Sequence, residues 1–342
     1  MPSATTSRQS NFELLRILSM LMVLVLHADF VALKCPSAAF ITAHPLNAVA
    51  RDFFEAAAVV CIDCFVLISG WFGISQKLRG FCGLIFQVLF FTLGTYAISC
   101  AIGHVEFSLD GLTGPILRPN WFVSSYIVLY IFAPVLNPFL RESSLRKLWL
   151  AVCLMLAVEM LWGFAFDVYY RNGYSPLALI TIYCLGHALS RSRHYLLQAS
   201  PWQWAFVYLL TAMATTLLLL IYPEESERWI AYCSPLVIAG AVALLLCFAG
   251  IRMPSVRFIN WVGASCFGVF LIHMCAPHID WFYIFTCRDI YNTYSGAAYF
   301  GVILAFMFAV YAAGILVDQI RLLIWNAVWP KRKNPSAKAV NS

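Results

Sequence analysis

The fold class this sequence predicts is an all-α integral membrane protein, a bundle of about ten transmembrane helices with both termini cytoplasmic. Three observations carry that expectation. Of 342 residues, 62% are hydrophobic and only 11% charged, whereas soluble domains carry roughly 25% charged residues. Apolar segments follow one another, each near the roughly 17–25 residues a crossing helix needs. The basic residues are also partitioned. With the N-terminus inside, sixteen of twenty-two Lys and Arg fall on internal segments and six outside, which is the positive-inside pattern. Only an even number of spans keeps that agreement, so ten is favoured over nine or eleven.

In chain order the segments are approximately 12–33, 53–74, 82–102, 121–140, 148–166, 174–190, 202–222, 231–250, 258–276 and 296–320. The fifth and sixth are separated only by the short polar break at Asp167, Arg171 and Asn172. The first is read as a retained span and not a cleaved signal: it follows Glu13 and Arg16 and ends at His27 and Asp29, with no small-residue cleavage site. The connecting loops are too short to fold alone. One membrane domain, 1–330, is therefore expected, with a polar disordered tail at 331–342.

Composition also excludes. The net charge of +6 sits in short clusters between apolar runs, which sets topology and gives no stripe for nucleic acid. Most of the twelve cysteines lie within apolar runs, where Cys behaves as a small buried hydrophobe. Cys61 and Cys64 form a CxxC without a second pair, so no metal site is expected. Cys35, Cys275 and Cys287 fall in or near external loops, where a disulfide among them stays open. No HExxH, P-loop or GxSxG occurs.

The candidate chemistry lies inside the spans, where ionisable side chains are expensive and mark function by default. Arg16 and His27 are eleven residues apart, just over three helical turns, so they share a face at about 16 Å separation. The bland alternative makes Arg16 an end marker and His27 a satisfied interior histidine. Asp63 falls mid-span, six residues before Ser69-Gly70; the small pair suits helix packing as well as a binding turn. Trp121 opens the fourth span as an interfacial anchor or a sugar platform. Tyr126 and Tyr130 share a face four residues apart, and Pro134 is expected to kink or end that helix. Glu159 interrupts the fifth span, and His273 ends the ninth at a depth matching His27, either to catalyse or to orient. His44, His104, His187, His194 and His278 read as solvated.

Four stretches together resemble the integral-membrane acyltransferase-3 family of surface-polysaccharide O-acyltransferases. They are Arg16–x10–His27; Asp63-Cys64-Phe65-Val66-Leu67-Ile68-Ser69-Gly70; Trp121-Phe122-Val123-Ser124-Ser125-Tyr126 with Tyr130 and Pro134; and Gly263 to His273, GASCFGVFLIH. The second has one aromatic where many members have two. The hydrolase-like extracytoplasmic domain of longer members is absent, which bears on acceptor choice.

The resemblance, which covers roughly 11–320, implies a multi-pass protein of the cell inner (cytoplasmic) membrane, bathed in membrane lipids. It implies acetyl-CoA or another acyl-CoA as donor and a surface or lipid-linked glycan hydroxyl as acceptor. Arg16, with Ser69 and Gly70, would serve the donor, since guanidinium pairs bidentately with phosphate oxygens. Trp121, Tyr126 and Tyr130 would serve the sugar. His27 would act as general base or briefly carry the acyl group, with Asp63 or Glu159 fixing its tautomer and His273 assisting. The competing expectation is a glycan or small-molecule transporter without covalent chemistry, for which buried acids and Gly/Pro-interrupted helices would serve equally.

Overall fold

The structure is a computed structural model and describes residues 8–75, 77–274 and 279–330. Among them it is helical throughout, without a strand. The opening helix α1 (Ser10–Leu26) passes into a π-helical segment, His27–Val31. The short α2 (Ala38–Ala43) leads to α3 (Pro45–Ala58) and α4 (Cys61–Phe72), which form one continuous run. Next come α5 (Leu78–Ala101), α6 (Leu109–Leu117), α7 (Trp121–Glu142) and α8 (Leu145–Val158). A second π segment, Glu159–Ala165, extends α8. The remainder comprises α9 (Pro176–Arg191), α10 (Arg193–Leu196), α11 (Pro201–Ile221), α12 (Ser226–Trp229) and α13 (Pro235–Gly250). The chain closes with α14 (Arg257–Ala264), α15 (Cys266–Met274), α16 (Ile279–Thr293) and α17 (Gly296–Val328).

Local sequence explains many of the starts. Three helices open on Ser-Pro, at Ser175-Pro176, Ser200-Pro201 and Ser234-Pro235. Proline at the first helical position costs no hydrogen bond, and the serine before it caps the helix with its side chain at Ser175 and Ser200, though not at Ser234. At Ser200 the cap is reciprocal: its hydroxyl accepts from Gln203 N while Gln203 Oε1 accepts from Ser200 N.

Among the described residues, eight helical runs are long and apolar enough to cross a membrane. Two of the ten expected segments form shorter helices. The 174–190 and 231–250 segments become α9 and α13, of 16 residues each. Such a helix spans about 24 Å, less than the roughly 30 Å hydrocarbon layer. Proline and serine set their starts, and Gly250 or the polar turn at Ser192 sets their ends.

Two further features sharpen the expectations. Pro134 does not end its helix: α7 continues through Pro134 and Pro138 to Glu142, as transmembrane helices allow when neighbours re-satisfy the freed carbonyls. The loop after the ninth span contains α16, and its Tyr283 is buried to 1% against the end of α1. Of the loop cysteines, Cys35 and Cys287 are free thiols, and burial pushes the Cys35 thiol up to about 12. Cys275, His278 and the 331–342 tail lie outside the described residues.

The core is built around α4 and α9. A side-chain carbon on Gly70 would stand 2.1 Å from the Tyr183 carbonyl, and one on Gly186 would stand 2.4 Å from that of Leu67. The two glycines therefore let the backbones touch, and α1 packs beside them on α4.

Candidate active site

The site is built along α1, beginning at its first turn. Ser10 Oγ donates to Asn260 Oδ1 at 2.9 Å and accepts from Val256 N at 2.7 Å. Asn11 Nδ2 donates to the Phe248 carbonyl at 3.0 Å. These bonds pin the helix start to α13 and α14. Glu13, 3% exposed, then receives Arg16 Nη1 at 2.5 Å and Arg8 Nη1 at 3.2 Å. A buried carboxylate needs such partners, and it fits because Gly263 opposite has no side chain: a Cβ there would stand 2.5 Å from Glu13 Oε2. One acid thus holds two guanidiniums, leaving a net positive charge at this end of the bundle.

Both arginines line two cavities. One, of about 640 Å³, opens at the end where α1 begins and includes Arg193, Phe12, Trp71 and Phe72. The other, of about 300 Å³, runs along α1 past Met20 to Val23, against Ser69, Tyr126 and Phe270. Val23 is one helical turn before His27. Within this cavity Ser69 Oγ donates to the Phe65 carbonyl at 2.9 Å. Its only proton is spent there, so in the 3.2 Å contact with Tyr126 the phenol donates to Ser69.

At the far end of α1, His27 Nδ1 lies 2.9 Å from His273 Nε2, and His273 Nδ1 lies 2.6 Å from the Val269 carbonyl. A carbonyl only accepts, so His273 donates from Nδ1 and a neutral His273 accepts at Nε2. His27 must then donate from Nδ1, which leaves its Nε2 with a free lone pair. His273 is 1% exposed, while His27 is only partly buried. The accessible member of the dyad is the one whose basic nitrogen is free.

The π segment holds this arrangement. Helix ends leave carbonyls without partners, and here they are taken by side chains. Tyr283 Oη donates to the Leu24 carbonyl at 2.9 Å, Arg288 Nε to Ala32 O at 2.5 Å, and Arg51 Nη2 to Lys34 O at 2.5 Å. Arg51 also grips Asp29 Oδ1, through Nε at 2.8 Å and through Nη2. Phe270 and Tyr283 pack their rings on His273 at 6.0 and 5.3 Å.

The expected carboxylate partner of His27 is corrected. Neither Asp63 nor Glu159 hydrogen-bonds either histidine, because His273 occupies the position at Nδ1. The two acids instead lie within electrostatic reach of each other and of Cys233, on another side of α4. Asp63 is 3% exposed and Glu159 0%. Asp63 Oδ2 and both Glu159 oxygens lack hydrogen bonds among the described residues.

The remaining sequence candidates separate. Gly70 faces α9 and serves packing. Trp121 joins an aromatic cluster with Tyr174 and Tyr232, at 4.6 and 5.5 Å between rings. Tyr130 does not accompany Tyr126; its hydroxyl donates to the Ser75 carbonyl at 2.9 Å and ties down the turn after α4.

Sequence reasoning missed the roles of Glu13, Arg8, Arg193 and the Asp29–Arg51 pair. Asp29 and Glu13 each carried a signal, as acids at the ends of an apolar run. Their partners are distant or topology-marking arginines that nothing local singles out.

No curated protein and no solved structure matches the chain. A family model described as an acyltransferase domain matches residues 9–318, a range that takes in α1, both histidines of the dyad and most of α17. The chain belongs to the acyltransferase-3 family and is a multi-pass membrane acyltransferase.

Proposed function

We propose that the protein is an O-acyltransferase that moves an acyl group, acetyl by preference, from cytoplasmic acyl-CoA to a hydroxyl of a surface or lipid-linked saccharide. The observation that carries this reading is the oriented dyad, a partly accessible His27 whose Nε2 lone pair is fixed by His273. That is the form a general base needs. The saccharide O–H gives its proton to His27 Nε2 as its oxygen attacks the thioester carbonyl carbon. The C–S bond then breaks, and the proton passes from His27 to the departing sulfur. The products are an ester and free coenzyme A thiol, with His27 regenerated.

The donor end follows the same logic. Arg8, Arg16 and Arg193 converge where a pyrophosphate would be met, and Arg forks suit such oxygens. Trp71 and Phe72 beside them offer flat faces to an adenine ring. The narrower cavity along Met20, Ser69 and Tyr126 suits an extended thiol arm. About 16 Å separates Arg16 from His27, a reach that such an arm covers. With the N-terminus inside, the donor enters from the cytoplasm of a cell bounded by this membrane.

The test is thiol release from acetyl-CoA by purified full-length protein in nanodiscs, given acceptor-bearing membranes. Acceptor-dependent release is expected for wild type and not for His27→Ala at equal protein level. Wild-type release by His27→Ala would overturn the catalytic assignment. No release by either, with transport of the glycan retained, would favour the exporter alternative.

A further inference from the structure

A third cavity, of about 580 Å³, lies against the π segment on the side away from the donor path. Its walls come from α1 with its π segment, from α3, from the end of α16 at Tyr291, and from α17, and along α1, α3 and α17 they change character in the same direction. On α1, apolar Val25 gives way to Asp29; on α3, Phe54 lies deeper than Arg51 and Asn47. On α17, Ser295 and Tyr299 precede Leu304 and Met307. Since α1 runs opposite to α3 and α17, all three polar ends coincide. From Ser295 to Met307 is twelve residues, about 18 Å. The cavity is polar at the outer end, against Ala28 and Asp29 of the π segment that begins with His27, and apolar for the rest of its length.

The polar end has a particular chemistry. Arg51 is the sole cation among the described lining residues, and Asp29 already neutralises it. Both bonds that Arg51 makes to Asp29 go to Oδ1, so Oδ2 remains for an incoming hydroxyl. Arg51 lies over the Tyr291 ring at 5.8 Å, and Tyr291 meets Tyr299 edge-on at 5.6 Å. A neutralised ion pair framed by tyrosine faces suits uncharged hydroxyls and ring C–H groups better than a phosphate. The apolar end opens sideways: Phe54 is 49% exposed, Phe300 48% and Leu304 46%. In a bilayer that opening faces lipid, so a chain can lie in it and continue outward.

We propose that this cavity seats an amphiphile, a saccharide carried on a hydrocarbon chain, with its sugar against Asp29, Arg51 and Tyr291 and its chain along Phe300 to Met307. Its role as the acceptor seat rests on the transferase reading above; its binding does not. The occupant is a lipid-linked acceptor and not a free glycan, because a free glycan has no use for the apolar two-thirds of the site.

The experiment uses full-length protein in nanodiscs and dodecyl maltoside bearing a diazirine in its chain. Labelled peptides are expected at 54 and 300–307. Unlabelled dodecyl maltoside should compete more than about tenfold better than maltose, since even two buried methylenes give that ratio. Leu304→Trp and Phe300→Trp fill the apolar end at half-exposed positions where the fold tolerates bulk, and each should remove most of the label. Equal competition by maltose would overturn the amphiphile, and equal competition by phosphatidylglycerol would overturn the sugar head. Label spread evenly over lipid-facing helices, or unchanged in both variants, would overturn the seat. If the label maps here but no preparation releases thiol from acetyl-CoA, the transferase reading fails and the seat stands. If Leu304→Trp loses the label yet releases thiol at the wild-type rate, the acceptor role fails and the transferase reading stands.

Discussion

Two π-helical segments interrupt the bundle, His27–Val31 after α1 and Glu159–Ala165 after α8, and each begins with an ionisable residue inside the membrane domain. In the sequence both stand out for the same reason, a titratable group at a depth where charge is expensive, although only His27 is paired there with an arginine on its own helix face. The structure treats them differently. His27 has a partner, an assigned tautomer and partial exposure, with cavities on either side of its helix. Glu159 is 0% exposed, and neither oxygen has a hydrogen bond among the described residues. Its neighbour Thr181 donates to the Leu177 carbonyl at 3.2 Å. An expensive residue thus marks a candidate, and an arranged set of partners with an approach path marks a site.

This contrast can be broken most directly at His27. His27→Ala should lower acyl transfer roughly 10²- to 10⁴-fold, the range of a lost general base, measured as acceptor-dependent thiol release. His273→Leu should follow, with kcat reduced roughly five- to hundredfold while donor KM holds. It removes one buried hydrogen bond, worth about 1–3 kcal/mol, and with it the bias for the reactive tautomer. A change confined to KM would show that His273 does not orient His27.

Arg16→Ala tests the other end of α1. Donor KM should rise roughly ten- to hundredfold with a smaller change in kcat, since a charge-assisted hydrogen bond of about 1.5–3 kcal/mol is lost on binding. Unchanged acetyl-CoA affinity by titration would remove Arg16 from the donor site. The smallest effect is expected at the second π segment. Glu159→Leu should keep transfer within about twofold and should leave thermal stability equal or higher, because an unbonded buried carboxyl is replaced by hydrocarbon. A loss beyond about tenfold there would end the distinction between the segments.

Much of this arrangement was legible in the residues. Arg16–x10–His27 placed two groups on one face of a helix, and that helix runs unbroken to Leu26. His273 was matched to His27 in depth from the length of its span, and the two rings do meet. Tyr126 and Ser69 stand out in the sequence as separate features, and they form one hydrogen-bonded pair. The choice of Asp63 or Glu159 as the partner of His27 failed for an identifiable reason. Depth along the membrane can be counted from a sequence, but rotation about a helix relative to its neighbours cannot, and both acids point to another side of α4.

What the sequence determined by itself is the set of properties written in one dimension. These are the membrane environment, from apolar run length and the scarcity of charge, the approximate segment borders, from where the apolar runs begin and end, and the polar groups too costly to be accidental. Tertiary structure decided which of those groups meet. The Gly70–Gly186 contact sets how α4 and α9 are rotated, the break at Ser265 between α14 and α15 carries His273 toward α1, and α16 closes over the π segment. Such distances depend on packing between helices hundreds of residues apart, where a shift of one residue turns a side chain by about 100°. Local sequence carries almost no information about that angle, so only the folded bundle could join His27 to His273 and turn Glu159 away from both.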